Sequence, residues 1–315
     1  MSLLSEVVGR LRGWGFPYLR NVNQRFHTRN RRHRTNPGGI DVFAEDWDTL
    51  VLLDGCRYDT FAEEHDLPGH LSTRESRGAN TVEFLRGNVA GRVLHDTVYV
   101  TANGQFHNHR DELDASFHHV ENIWQYDDAW NDRHHTVLPE STTEYALRAA
   151  ERFPDKRLLV HYIQPHDPFI DAPIAIDDAF DPETPDFWRR VYVGDLEYEP
   201  AVLREAYVDN LRRTLPHVRR LVDARHGKTV VTSDHGNLLG DRAFPVPVRE
   251  WGHPSALWQS ELTTVPWLVD VTHPRPEVVS EEPAAAADLA GSGRRDPDID
   301  EEELEEHLRN LGYKG

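Results

Sequence analysis

Thr229-Val230-Val231-Thr232-Ser233-Asp234-His235-Gly236-Asn237 decides how this chain folds. A short β-branched apolar run breaks off into Ser-Asp-His-Gly. The run predicts a buried strand, and the break places a carboxylate and an imidazole at its C-terminal end. Open α/β sheets place their chemistry on that rim. An adjacent Asp and His there form a natural pair of metal ligands, and Gly236 lets the backbone turn sharply just beyond them.

Two further runs repeat the pattern. Leu50-Val51-Leu52-Leu53 ends in Asp54-Gly55-Cys56-Arg57-Tyr58-Asp59, and Leu158-Leu159-Val160-His161-Tyr162-Ile163 leads into Gln164-Pro165-His166-Asp167-Pro168-Phe169. If the three strands are parallel neighbours, Asp54, His166 and the Asp234-His235 pair converge on one rim. Singly, each has a plainer explanation: Asp after a strand commonly caps a helix, and a His flanked by Pro is an ordinary loop residue. The joint pattern is harder to explain that way, because every one of these groups follows a strand-like run and sits beside Gly or Pro. Asp96-Thr97-Val98-Tyr99-Val100-Thr101, ending at Ala102-Asn103-Gly104, is a further strand. Residues 201–224 have helical spacing, with a kink expected at Pro216.

The order Asp54-x-x-Arg57-x-Asp59, Pro165-His166-x-Pro168 and Ser233-Asp234-His235-Gly236-x-x-x-Gly240 resembles the sulfatase-like branch of the alkaline phosphatase superfamily. Tyr207-Val208-Asp209-Asn210 and the closing strand Val265-Pro266-Trp267-Leu268 are similar to that branch as well, so the resemblance covers residues 45–270. It implies a doubly wound α/β fold, with a mostly parallel sheet flanked by helices. It also implies one divalent metal ion held by Asp54, Asp234 and His235. Oxygen and nitrogen donors suit Zn, Mn, Mg or Ca, with the imidazole favouring Zn or Mn slightly. Arg57, His166 and His253, the last in Trp251-Gly252-His253-Pro254, are the residues expected to grip the oxyanions of an ester. His253 could instead complete a second metal site.

In that branch a Cys, Ser or Thr at a helix N-terminus is the nucleophile, and here the sequence departs from the pattern. The matching segment is Ser76-Arg77-Gly78-Ala79-Asn80-Thr81-Val82-Glu83, and it lacks the Cys-x-Pro-Ser-Arg signature of true sulfatases. Alignment with phosphoglycerol-transferase relatives puts Ala79 at the nucleophile position. Thr81 is then the first candidate hydroxyl and Ser76 the second. The plainer role for Thr81 is a helix N-cap.

Composition fits a compact α/β domain. The chain has 315 residues, a formal net charge of −19, one Cys and one Met. Its acidity argues against general nucleic-acid binding, and a single Cys excludes a disulfide framework. Lys156, Lys228 and Lys314 are the only lysines, which together with abundant Asp and Glu is a halophile-like bias. No apolar run is long enough for a membrane span and no signal peptide is visible, so the expected location is cytoplasmic. Residues 1–40 form a basic arm. Leu3, Leu4, Val7, Val8 and Leu11 recur at helical spacing there, and residues 1–34 are expected to touch an anionic membrane peripherally. The alternative is that the arm packs on the domain or is disordered. Residues 41–275 are the catalytic domain, and 276–315 an acidic linker with a helix over 298–311. Six histidines between 107 and 135 could form a second metal site, though solvated loop positions explain them as well.

The expected activity is hydrolysis or transfer of a sulfate or phosphate ester, with an anionic ester as substrate. Two alternatives stay open. One is a degenerate protein that binds a glycan or lipid without turnover, which Ala79 favours. The other is a two-metal phosphomutase or phosphodiesterase.

Overall fold

The structure is a computed structural model, and it describes residues 18–172 and 187–283. Seven strands form the central sheet: β1 (Thr49–Leu53), β2 (His70–Glu75), β3 (Val93–Thr101), β4 (Ser116–Asn122), β7 (Arg157–Tyr162), β8 (Gly227–Thr232) and β11 (Thr264–Thr272), in the spatial order β2-β11-β8-β1-β7-β3-β4. β5 (Trp130–Asn131) pairs with β6 (Thr136–Val137), and β9 (Leu238–Arg242) with β10 (Arg249–Gly252), each antiparallel. β8, β1, β7, β3 and β4 are parallel neighbours, while β11 runs antiparallel to both β8 and β2. The three runs read from the sequence therefore lie side by side with β1 in the middle.

Alternation along β1 explains why it reads as continuously apolar. Val51 and Leu53 face one layer, with Leu211, Leu215 and Val218 of helix α8 and Ala146 and Ala149 of α6. Leu50 and Leu52 face the other, with Phe84 and Leu85 of α3 and Trp267 of β11. All four side chains are fully buried, each contributing about 1.5–3 kcal/mol of transfer free energy. A parallel sheet covered on both faces requires such strands. The helices are α1 (residues 18–27), α2 (Tyr58–Glu64), α3 (Thr81–Asn88), α4 (Gln105–Asn108), α5 (Arg110–Leu113), α6 (Pro139–Arg152), α7 (Phe187–Val193), α8 (Pro200–Ala224) and α9 (Ser260–Thr263). Both α6 and α8 begin with Pro in the first turn, where the missing N–H has no partner to lose, and α8 runs through Pro216 unbroken.

Packing contacts extend beyond residues 41–275. Helix α1 packs on the far end of the chain: the Asn23 amide, fully buried, exchanges hydrogen bonds with the backbone of Val246, and Arg20 pairs with Glu250. Residues 276–283 continue past the start of β7 and β3, where the Val279 N–H donates to the Asp155 carbonyl and the Glu281 N–H to that of His95. Residues 1–17 and the helix expected over 298–311 lie outside the described residues. Among the described residues no helix is long and apolar enough to cross a membrane.

Candidate active site

The ends of β1 and β8 are bound to each other. Ser233 Oγ donates to the Leu53 carbonyl and accepts the Cys56 N–H, at 2.6 and 2.9 Å, while the Gly55 N–H donates to Asp234 Oδ1 at 3.1 Å. Gly55 takes φ +64°, the left-handed region that favours glycine. At Gly236 a Cβ would lie 2.1 Å from the Glu261 carbonyl oxygen, so only glycine fits beyond the Asp-His pair.

This stapling brings Asp54, Asp234 and His235 together, all fully buried. His235 Nε2 lies 3.3 Å from Asp54 Oδ1 and 3.4 Å from Asp234 Oδ2. Its Nδ1 is 2.6 Å from the Gly236 carbonyl. A carbonyl only accepts, so Nδ1 carries the proton and the neutral ring turns its lone pair toward the two carboxylates. That arrangement is repulsive unless a proton or cation intervenes. Burial disfavours a charged His235 ring, but Asp234 and Asp54 outweigh it and push the group up to about 9. Burial likewise opposes ionisation of Asp54, and the neighbouring His166, His235 and His161 rings hold it well below the usual carboxylate range. Asp234 Oδ2 accepts no hydrogen bond. One ligand atom from each of the three residues lies within 4.8 Å of the others. An uncompensated buried oxygen beside a second carboxylate and an imidazole lone pair fits a divalent cation with mixed O and N ligands.

Two contributors to this centre are invisible to motif reading. His161, the penultimate residue of β7, places Nε2 3.8 Å from Asp54 Oδ2 and the same distance from Asp234 Oδ2, while Tyr99 OH holds its Nδ1 at 2.9 Å. Asn103 follows β3 and donates to Asp54 Oδ2 at 2.6 Å. The available signals were a lone His inside an otherwise apolar strand and an Asn at a strand exit.

Of the hydroxyls, Thr81 reaches the centre. It is the first residue of α3, and its Oγ1 lies 3.4 Å from His235 Nε2 and 3.5 Å from Asn103 Nδ2. Asn80, not Thr81, caps the helix, by accepting the Glu83 N–H at 2.9 Å. Ser76 is committed elsewhere: its hydroxyl donates to the Asp234 carbonyl and accepts the Gly78 N–H. Ala79 packs away from these side chains. It is fully buried in an apolar cluster with Leu238, Leu257, Trp258 and Leu262.

His166 and His253 also converge, with 2.7 Å between their Nε2 atoms, and the His253 ring centroid is 4.9 Å from that of His235. Asn210 holds the His166 loop, donating to the carbonyls of His166 and Pro168 and accepting the Ile170 N–H. Tyr207 OH accepts the Arg57 N–H and donates to the Gly55 carbonyl, which fixes the turn after Asp54. Arg57 itself is not brought to the centre. Its guanidinium forks onto both oxygens of Asp59, at 2.9 and 2.6 Å, and binds Asp241 at 2.9 Å, so it clamps the turn after β1 to β9. Above the centre opens a cleft of about 400 Å³, lined by Thr81, Gln105, His166, Trp188, Trp251 and His253, with Arg20 of α1 in its wall. The histidines of residues 107–135 form no metal-ligand group among the described residues.

No protein-family model matches the chain, and no curated protein matches it. Among solved structures, the chain is similar to the C-terminal periplasmic domain of EcEptC from Escherichia coli in complex with Zn, at 13% identity and TM-score 0.45 over 71% of this chain and 72% of that one. It is similar to the integral membrane protein lipooligosaccharide phosphoethanolamine transferase A from Neisseria meningitidis, at 12% identity and TM-score 0.43, where it covers 70% of this chain but only 47% of that one. A protein from Vibrio parahaemolyticus matches over 79% of this chain and 64% of its own length, at 13% identity and TM-score 0.43. That protein is of the alkaline phosphatase superfamily, the superfamily that the motifs of this sequence resemble.

Proposed function

We propose that the protein is a metal-dependent hydrolase or transferase of a phosphate or sulfate ester, with Thr81 as its nucleophile. The observation that carries this reading is the Thr81 hydroxyl at a helix N-terminus, 3.4 Å from His235 Nε2 and beside Asp54 and Asp234. Asp54, Asp234 and His235 would hold one divalent ion of Zn, Mn, Mg or Ca type, whose chemistry is to neutralise the ester's charge and ease deprotonation of a hydroxyl. Thr81 Oγ1 attacks phosphorus or sulfur, and the backbone N–H groups at the start of α3 favour the anion there. Release of the alcohol leaves the group on Thr81, and water or an acceptor alcohol removes it in a second step. His166 and His253 face the cleft and bind the ester's remaining oxygens. Cytoplasmic location and peripheral contact with an anionic membrane through residues 1–34 belong to the same reading.

The 2.7 Å approach of His166 to His253 favours one variant of this reading, a second ion held by that pair, as in a two-metal phosphodiesterase or phosphomutase. Binding without turnover is the other reading; against it stands the Thr81 hydroxyl beside His235, while Ala79 packs in an apolar cluster. The test is turnover of p-nitrophenyl phosphate, its diester and p-nitrophenyl sulfate with each metal, alongside the metal content of the purified protein. Turnover by the wild type and its loss in Thr81→Ala are expected. A metal-loaded wild type that turns over none of the three would overturn the enzyme reading in favour of a binding protein.

A further inference from the structure

We infer that the arginine-rich turn over residues 25–34, together with the exposed Phe26–Phe244 pair, is a docking surface for an anionic lipid bilayer that holds the mouth of the cleft against the headgroup layer. Arg25, Arg29, Arg31, Arg32 and Arg34 are all exposed. None of them pairs with a carboxylate among the described residues, whereas Arg57, Arg86, Arg92, Arg212, Arg220 and Arg275 all do. In a chain of net charge −19, these five within ten residues are a local excess of positive charge. The turn is built to present them. Arg29, Asn30 and Arg31 take φ of 50°, 60° and 66° in succession, a conformation unfavourable for residues with side chains. The Asn30 N–H donates to the Arg25 carbonyl and the Arg32 N–H to the Thr28 carbonyl, at 2.6 and 2.9 Å, which fixes that shape.

The apolar part lies beside it. Phe26 is 53% and Phe244 58% exposed, and the rings meet edge to face at 5.4 Å. Arginines alone would suit any polyanion. Two half-exposed phenyl rings beside the arginines, in a chain whose net charge of −19 disfavours a polyanion such as nucleic acid, suit the boundary between headgroups and acyl chains instead. The surface borders the cleft: Arg20 of the same helix lines it, and Gln24 donates to the carbonyl of Ser255, another residue of the cleft wall. A membrane-bound molecule would therefore present Thr81 to esters at the bilayer surface. This inference rests on the membrane part of the reading above and not on its chemistry.

Co-sedimentation of the full chain with phosphatidylglycerol vesicles, and separately with phosphatidylcholine vesicles, tests it. The wild type is expected to bind the anionic vesicles and not the neutral ones. The combined Arg29→Gln, Arg31→Gln, Arg32→Gln variant is expected to bind roughly a hundredfold more weakly, about fivefold per arginine. Phe26→Ser with Phe244→Ser should lower binding and make what remains more sensitive to salt. Matched melting curves and unchanged turnover of a soluble ester in the arginine variant separate loss of docking from loss of fold or chemistry. A wild type that ignores phosphatidylglycerol vesicles would overturn the inference. So would an arginine variant that sediments like the wild type, because binding would then come from other residues. Tighter binding to a short DNA duplex than to vesicles, unaffected by the Phe substitutions, would replace the bilayer with nucleic acid.

Discussion

Thr81 Oγ1 and His235 Nε2 lie 3.4 Å apart although 154 residues separate them in the chain. The contact joins the start of α3 to the end of β8, and it is the hydroxyl contact on which turnover should depend. Thr81→Ala should lower turnover by about a hundredfold or more, on the scale of other lost nucleophiles. Thr81→Ser should keep a substantial part of it. Metal content should not change, and the melting midpoint should move little because Asn80 supplies the cap. Full activity in Thr81→Ala would mean that water attacks directly.

Asp234 Oδ2 is buried and accepts no hydrogen bond. An ion that binds only the folded chain stabilises it by about 2.7 kcal/mol at a hundredfold excess over Kd. For a domain of this size that corresponds to a rise of several degrees in Tm. Chelator should remove that increment from the wild type and leave Asp234→Asn unaffected. A metal-free wild type whose Tm ignores chelator would sink the metal site.

What the sequence reveals follows from what surrounds each residue. β1, β7 and β8 read clearly because both of their faces are buried. β2 and β4 do not: His70–Glu75 and Ser116–Asn122 are edge strands, only partly buried and rich in polar residues. Asp54, Asp234 and His235 were legible because each follows an apolar run. The Arg57 ion pairs were not legible, because one of the partners, Asp241, lies 184 residues away. Choosing between Ala79, Thr81 and Ser76 was hard from sequence because the register of a loop is set by where its helix is capped, and the cap at Asn80 turns Thr81 toward the site. Residues 18–34 read as a loose arm by charge, yet their docking depends on Asn23, Gln24 and His27 meeting backbone groups of residues 244–255.

Glu83 ties the Thr81 turn to the His253 loop. Its buried carboxylate accepts the Ala79 and Ala256 N–H groups and the Trp258 indole N–H, at 3.0, 2.6 and 2.9 Å. Ala256 sits at φ +61°, so its loop needs such a restraint. Glu83→Ala leaves three donors without an acceptor, each worth about 1–3 kcal/mol if it stays buried. Urea unfolding should show a loss of a few kcal/mol, and turnover of folded protein should fall as well. Glu83→Gln should lie between the two. Unchanged stability and turnover in Glu83→Ala would remove the latch.

Arg20 binds Glu250 through Nε at 2.8 Å, and the Glu250 side chain is fully buried. Burial already raises the Glu250 carboxyl above its usual range, and Arg20 opposes that. Arg20→Met should therefore destabilise by about 3 kcal/mol, as expected for a buried carboxylate left alone. Adding Glu250→Gln should recover most of the loss. If Arg20→Met melts like the wild type, α1 is not part of the folded body.

Acid should reveal the Arg57 clamp. Burial would raise Asp59, but Arg57 wins and holds it at about 2, against an ordinary value of 3.8. Arg275 holds Asp46 at about 2 as well. The folded chain thus binds these two protons less readily than the unfolded chain, so the pairs stabilise the fold above pH about 4 and lose that contribution as the pH falls from about 4 through about 2. Asp46 is well exposed, so its share is small after solvent screening. Asp59 carries more of the effect, because its partner Arg57 is buried. Melting midpoints measured across this range should fall steeply for the wild type. Asp59→Asn should flatten that fall, since its side chain no longer titrates and the Arg57–Asp241 bond remains. A slope as steep in Asp59→Asn as in the wild type would assign the acid response to other carboxylates.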